Sequence, residues 1–202
     1  MKPFILVFCY LMIVTNLFAQ TETPPSALVH KVKGSVTFEG VELKTGDVLS
    51  KEGLIVTNNK SFIQLKIEKW NSSISIGANS KMELNFKDEK KYTLTSGHCR
   101  WKSLIRDVVK NNSKGKIFTK NASMGVRGTD FIIKSFPLFG ETEIVMFDGE
   151  VTMENLENKE NIVTIKKGQW GGLGGRFGKT INPPLDLPEA ALNSFLTIIE
   201  AP

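Results

Sequence analysis

Apolar and polar residues alternate with a period of two along most of the chain from Val32 onward. The alternation is strict over residues 63–67 and again over residues 82–86. This period is typical of strands that bury one face and expose the other. Further short apolar runs predict strands at about 36–38, 54–56, 74–76, 92–94, 117–119, 131–133, 144–147, 151–153 and 162–165.

Turn-forming residues separate these runs, at intervals of roughly 8 to 12 residues. Many short strands at this spacing predict an all-β fold and leave a sandwich, a barrel or a solenoid open. Glycine recurs after apolar runs, which favours a β-solenoid-like or rolled sheet of many short strands, because glycine allows the chain to turn at each corner. The recurring glycines are Gly46, Gly77, Gly97 and Gly168, and a Gly-x-Val pattern is found at Gly34 and Gly149.

The N-terminus has the pattern of an export signal. Lys2 precedes an uninterrupted apolar run over residues 4–14, and Ala19 provides a small residue for cleavage. The run is shorter than the ~20 residues that a membrane-spanning helix needs. We therefore expect a signal peptide at residues 1–19, a flexible tether at 20–27 and a periplasmic, exported chain with no spanning helix after cleavage.

The C-terminus departs from the strand pattern. The β domain is predicted to cover residues 28–182, followed by a Pro-rich linker and a helix within residues 183–202. Asp186 is placed to cap a helix over about 187–200. Its apolar residues fall on one stripe, which predicts that the helix closes an open end of the β body or contacts another protein. The stripe consists of Leu192, Phe195, Leu196 and Ile199.

Charge and cysteine content restrict the possible partners. The net charge is +5, but the cations are dispersed among anions, so we expect no nucleic-acid partner. The densest basic stretch covers residues 100–116. Cleavage of the signal would remove Cys9 and leave Cys99 as a single thiol, so an exported chain forms no internal disulfide. Cys99 alternates with Trp101, which favours a buried, inert thiol.

No arrangement of residues marks a catalytic site. The chain has two histidines, which is too few for a typical metal centre or for a recognisable nucleophile and base. The segment 171–180 ends in Gly-Lys-Thr, but the phosphate-loop pattern requires glycine where Leu173 stands. We therefore expect a protein that is not an enzyme and that has no catalytic residues, no metal site and no cofactor.

Two groups of residues are candidates for special roles. Gly125, Arg127, Gly128 and Thr129 lie in a predicted turn between two apolar alternations. An arginine there needs several acceptors, so Arg127 is predicted to hold the turn, and direct contact with a partner is the alternative. The second group consists of the tryptophans that would serve as sugar-stacking platforms if exposed. They are Trp70, Trp101 and Trp170.

In combination and order, several short motifs between residues 29 and 168 resemble the FecR domain family. The resemblance implies a β-solenoid-like periplasmic domain with no known catalytic residues. In the family's founding proteins, this domain receives a signal from an outer-membrane transporter, and a cytoplasmic segment controls a sigma factor. The motifs are Gly34-Ser35-Val36, Leu43-Lys44-Thr45-Gly46-Asp47, Ile74-Ser75-Ile76-Gly77-Ala78-Asn79-Ser80, Met124-Gly125-Val126-Arg127-Gly128-Thr129-Asp130-Phe131, Asp148-Gly149-Glu150-Val151 and Val163-Thr164-Ile165-Lys166-Lys167-Gly168.

In this chain a cleavable-looking signal stands where that family has its cytoplasmic segment and spanning helix. The leading hypothesis is therefore a free-standing, non-catalytic periplasmic module for interaction or signal relay that binds another envelope protein. The alternative is an envelope protein that binds peptidoglycan or polysaccharide through exposed tryptophans and the basic stretch 100–116.

Overall fold

The computed structural model of the chain describes residues 26–68, 71–86, 91–103 and 116–199. Within these ranges fifteen strands join in one sheet, accompanied by one short α-helix, so the all-β prediction is confirmed. No helix in the described ranges has the length and apolar character needed to cross a membrane. In chain order the elements are β1 Ala27–Lys33, β2 Val36–Phe38, β3 Val41–Glu42, β4 Val48–Leu49, β5 Gly53–Thr57, β6 Phe62–Ile67, β7 Ser72–Ile76, β8 Ser80–Leu84, β9 Lys91–Ser103, β10 Lys116–Phe118, β11 Ala122–Phe136, β12 Glu141–Asn155, β13 Ile162–Lys166, β14 Gln169–Leu173, β15 Leu185–Asp186 and α1 Glu189–Ile199.

Three long strands dominate the sheet. β9 has 13 residues, and β11 and β12 have 15 each. Each half of a long strand has different neighbours: the first half of β9 pairs with β8 and its second half with β7. Similarly, the first half of β12 pairs with β14 and its second half with β13. The long strands therefore pass from one layer of the sheet into another.

The pairings define two layers that share the three long strands. Layer A has the order β4-β1-β6-β7, then the second halves of β9 and β11, the first half of β12, β14 and β15. Layer B has the order β3-β2-β5-β8, then the first half of β9, β10, the first half of β11, the second half of β12 and β13.

A buried polar clamp holds β9 where it crosses between the layers. Gly97 lies at the crossing with φ of +90°, a conformation that glycine adopts without strain. A side chain on Gly97 would overlap Ser80, whose Oγ accepts a hydrogen bond from the His98 amide at 3.0 Å. The Ser80 amide in turn donates to Thr57 Oγ1 at 2.9 Å. Ser80 and Thr57 are both buried, and these internal hydrogen bonds give the polar groups at the crossing their partners.

The inward faces of the two layers form one continuous apolar core. Tyr92 on the first half of β9 and Trp101 on its second half meet edge to face, with ring centroids 5.2 Å apart. Both side chains are fully buried. In layer A, Gly171 approaches the Ile165 side chain of layer B so closely that an added Cβ would lie 2.9 Å from it. The layers thus contact each other directly through their side chains.

The solenoid prediction is not supported, because the fifteen-stranded sheet contains a closed five-stranded barrel instead. The stacked coils of a parallel β-helix pair their strands in parallel. Here every pairing between described strands is antiparallel except that of β9 with β10. Gly97 and Gly149 were expected to mark turns, but both lie inside long strands. Gly149, with φ of +78°, marks the crossing of β12.

The two ends of the chain also refine the predicted boundaries. The predicted signal at 1–19 and the tether up to residue 25 lie outside the described residues, and Ala27 already belongs to β1. At the other end, β15 adds two residues of the predicted linker to the sheet. Asp186 does not cap the helix, because its carboxylate accepts a hydrogen bond from Gln169 Nε2 at 3.0 Å. α1 begins instead at Glu189, directly after Pro188.

The apolar stripe of α1 covers the outer face of layer A rather than an open end of the sheet. Leu192, Phe195 and Ile199 join a second apolar cluster that includes Ile132 of β11 and Val145 of β12. Both of these sheet residues are buried on the side away from the main core. The helix therefore protects an apolar strip on the back of the sheet.

The cysteine of the described chain is Cys99, which lies fully buried in the core opposite Ile76 and Ile133. Burial raises the pKa of its thiol to about 12. Because the thiolate is the reactive form, the native thiol stays protonated and inert at ordinary pH.

We expect Phe195→Ala to lower the free energy of unfolding by about 1 to 3 kcal/mol, because it exposes apolar surface on layer A. Urea denaturation measures this loss. Asn193→Ala, at an exposed position of the same helix, is the matched control and should leave stability nearly unchanged. An unchanged stability of Phe195→Ala would instead assign the helix to a partner interface.

Cys99 is expected to resist iodoacetamide at pH 8 in the folded protein and to react fully in denaturant. The reason is that both its burial and its raised pKa suppress the thiolate. Mass spectrometry of the alkylated chain gives the extent of reaction. Rapid labelling of the native protein would contradict the buried position of Cys99.

Candidate interaction surface

Exposed apolar side chains gather at the hairpin that joins β11 to β12. Leu138 is 87% exposed and Phe139 68% exposed, with Phe136 beside them at 43%. Leu156, after the end of β12, is 38% exposed. We call Phe136, Leu138, Phe139 and Leu156 the apolar tip. Contiguous exposed apolar residues are typical of a surface that contacts another molecule.

Asn121 fixes the position of the apolar tip. Its Nδ2 donates to the carbonyl of Gly140, and its backbone carbonyl accepts from the Leu156 amide at 3.0 Å. Its Oδ1 accepts from Thr142 Oγ1 at 2.8 Å. Thr142 and Thr119 are buried, and their hydroxyl oxygens lie 2.7 Å apart. Through its side chain and its backbone carbonyl, Asn121 thus joins the hairpin, the end of β12 and the strand ends beneath them.

The glycine-rich stretch after β14 supports the same hairpin from the other side. The Gly175 amide donates to the Phe139 carbonyl at 3.2 Å, and the Gly174 amide donates to Gly178 O at 2.8 Å. Gly174 has φ of +79°, and an added Cβ would overlap the Gly140 carbonyl. The glycines are therefore needed for close backbone packing. Their amides are used internally, which does not favour a phosphate-binding loop.

Arg176 extends this support to the edge of layer A. Its guanidinium pairs with Glu143 and, at 3.2 Å, with Glu141, and lies 4.9 Å from the Trp170 ring centroid. The hydrogen bond to Glu143 is the main cause that raises the pKa of Arg176. The Arg176 side chain is 59% exposed, whereas Glu143 is buried, so the arginine provides a partner for a buried carboxylate.

A cleft of about 420 Å³ lies beside the apolar tip. Lys120 and Lys179 contribute positive charge, Glu157 contributes a carboxylate, and Phe139 supplies an apolar wall. The carbonyl of Lys179 is held by Asn155 Nδ2 at 2.9 Å. Asn155 is itself buried, so this wall of the cleft is anchored to the end of β12. The combination of apolar side chains with two lysines suits a partner segment that carries apolar and acidic residues.

The predicted turn around Arg127 lies inside strand β11. Gly125 pairs opposite Thr152 of β12, and Arg127 pairs opposite Glu150. The register then shifts between Arg127 and Asp130, so Gly128 and Thr129 form an irregularity where β11 crosses between the layers. Thr129 is 1% exposed, and the placement of the Arg127 side chain lies outside the described part of the chain.

The three tryptophans have different surroundings. Trp101 is fully buried between the layers, where it cannot meet a sugar at the surface. Trp170 lies in the cluster beneath α1 with Arg176 over its ring. Trp70 lies outside the described residues. A flat, exposed indole is therefore absent at the two tryptophans that the structure describes.

Sequence reasoning did not identify the best-formed ion pair or the apolar tip. Arg100 binds Asp130 through two hydrogen bonds of 2.8 and 2.9 Å, and both side chains are about 85% buried. Arg100 lies between Cys99 and Trp101 in the sequence, and its partner is 30 residues away, so no local pattern indicates the pair. The apolar tip had a signal in Phe-Pro-Leu-Phe-Gly, which combines apolar residues with turn formers.

Among the described residues, no group of three or more histidine, cysteine, aspartate or glutamate side chains is arranged to hold a metal ion. Cys99 is enclosed in the core, and nothing at the apolar tip forms a nucleophile and base pair.

No family model and no curated protein matches the chain. Two crystal structures of a Parabacteroides distasonis protein assigned as an anti-sigma factor have a similar fold. One aligns with a TM-score of 0.56 at 14% identity, over 72% of this chain and 65% of that one. The other aligns with a TM-score of 0.55 at 14% identity, over 71% and 64%. The chain thus spans slightly less than two thirds of the length of these proteins, and at this identity the likeness shows the fold alone.

Proposed function

We propose that this protein is a non-catalytic, periplasmic interaction or signal-relay module that binds another envelope protein through the apolar tip. The observation that carries the proposal is the apolar tip itself. Leu138 and Phe139 remain largely exposed although hydrogen bonds hold the hairpin beneath them in place. A preorganised apolar surface loses little conformational freedom on binding, so more of its buried area contributes to affinity.

The fold supports the relay part of the proposal. The similar structures belong to a protein assigned as an anti-sigma factor. Two of the motifs that resemble the FecR family lie at strand crossings, Met124–Phe131 in β11 and Asp148–Val151 in β12. We therefore propose a free-standing FecR-like module in which these motifs maintain the fold and the apolar tip contacts the partner. Export with removal of residues 1–19 is part of this proposal.

The surroundings of the tryptophans favour a protein partner over glycan stacking. Trp101 belongs to the core, and Trp170 is covered by Arg176 and the helix. Protein interfaces, by contrast, are centred on clustered apolar and aromatic residues with polar groups at the rim. The apolar tip, with Lys120 and Lys179 beside it, has this composition.

A photo-reactive amino acid in place of Leu138 is expected to cross-link one envelope protein in intact cells, which mass spectrometry identifies. The same group in place of Val41, which is exposed far from the tip in sequence, is the control and should not yield that product. The intact mass of the cross-linkable chain recovered from the periplasm should lack residues 1–19.

Binding of the identified partner should weaken at least about tenfold in Leu138→Ser/Phe139→Ser, because two apolar contacts of the interface are lost. Val41→Ser/Val48→Ser removes the same kind of exposed surface elsewhere and should bind normally. Both variants should melt like the wild type, since exposed side chains contribute little to stability. Equal affinity of the tip variant and the wild type, or cross-links to glycan fragments alone, would contradict the proposal.

A further inference from the structure

The half of the outer face of layer A that α1 leaves open is basic. β-Ladder partners lie side by side, so the register places Lys66, Ser73 and Lys102 in one row across the sheet. The neighbouring row contains Lys31, Gln64, Ser75 and Arg100. We call Lys31, Lys33, Lys66, Arg100 and Lys102 the basic face. Among the described side chains of these rows, the anions are Asp130 and its ladder partner Asp148, which lie at the β11–β12 end of the Lys102 row.

The charge of this face is specific to layer A. On the outer face of layer B, cations and anions alternate: Lys166 pairs opposite Glu150, and Lys81 and Glu83 are successive outward residues of β8. The positive charge is therefore not spread evenly over the molecule. Lys31, Lys33 and Lys66 are exposed and form no ion pair with any described residue, so their charges remain available to a ligand.

Arg100 makes the β9 edge of the basic face rigid. Its two hydrogen bonds to Asp130 fix the guanidinium plane, which also lies 5.3 Å from the Phe147 ring centroid. Lys102 approaches the same carboxylate at 4.0 Å. Lys31, Lys33 and Lys66 lie on the β1 and β6 side of this pair and keep an excess of positive charge there, and Gln64 donates to Ser75 Oγ at 3.4 Å. The face is thus flat, polar and cationic.

We propose that the basic face binds a linear acidic polysaccharide. Cations two residues apart on a strand are separated by about 6.6 to 7 Å, and those two strands apart by about 9.6 Å, so one extended polyanion reaches several of them. Ser73 and Gln64, which lie between the cations and are partly exposed, offer hydrogen bonds to sugar hydroxyls. This surface goes beyond the proposed function, because it lies on different strands from the apolar tip.

The composition of the face distinguishes this ligand from a protein or a membrane. A protein interface has an apolar or aromatic centre, whereas the centre here consists of Ser73, Ser75 and Gln64. A bilayer surface is normally contacted through exposed aromatic or aliphatic anchors beside the cations. On these strands the large outward apolar residues are Leu28 and Phe62, and both are partly buried. The residues favour a soluble, repeating anion.

The test is titration of the full chain with polygalacturonate at low salt, followed by isothermal calorimetry. The triple variant Lys31→Gln/Lys66→Gln/Lys102→Gln should bind polygalacturonate roughly 100-fold more weakly than the wild type. This loss corresponds to about 1 kcal/mol of binding free energy for each lysine near an anionic surface. The matched control, Lys81→Gln/Lys116→Gln/Lys166→Gln, removes the same charge from layer B and should bind as the wild type does. Wild-type affinity should fall as salt rises.

Several results would overturn the proposal. One is that the wild type fails to bind polygalacturonate at low salt, and another is that the two triple variants lose affinity equally. A third is that the protein binds anionic phospholipid vesicles without binding the polymer, and a fourth is that it binds poly-glutamate as tightly as polygalacturonate. Thermal melts confirm that both variants are folded. If cross-linking of a partner at the apolar tip failed, the binding of polygalacturonate to the basic face would be unaffected. The two proposals can therefore fail separately.

Discussion

The structure depends on one constraint: three strands must serve two layers. β9, β11 and β12 each pair with one set of neighbours in layer A and another in layer B. A strand can change layers only where its backbone leaves the regular pleat. In β9 and β12 the backbone does so at Gly97 and Gly149, which both have a positive φ. The hydrogen bonds of Ser80 and Thr57 stabilise the crossing of β9, because they keep its buried polar groups paired.

This arrangement determines where binding surfaces can form. The β11–β12 hairpin joins two of the strands that cross between the layers. Its apolar tip is therefore held by the body of the sheet and by Asn121. Helix α1 covers one half of the outer face of layer A, and the other half remains open with its basic rows. The apolar tip and the basic face are therefore held in fixed positions by one sheet. One body can thus present a protein contact and a polyanion contact together.

Local patterns in the sequence predicted local structure well. The alternation at 63–67 and 82–86 lies in β6 and in β8 with the segment after it, and the helix predicted at about 187–200 is found at Glu189–Ile199. The layer arrangement was not predictable in this way, because a glycine at a strand crossing looks the same in sequence as a glycine in a turn. Gly97 and Gly149 were interpreted as corners of a solenoid for this reason. Likewise, the pairing of Arg100 with Asp130 depends on the register of β9 and β11, which no local pattern contains.

The claim that shared strands make the two layers one cooperative unit is tested most directly by native-state hydrogen exchange. We expect amides of β7 in layer A and of β8 in layer B to exchange with the same free energy of opening, equal to that of global unfolding. This equality should persist at low denaturant, since opening either layer requires β9 to lose pairs on both of its halves. Exchange of one layer at a clearly lower free energy than the other would contradict the account, because it would show that the crossings do not couple the layers.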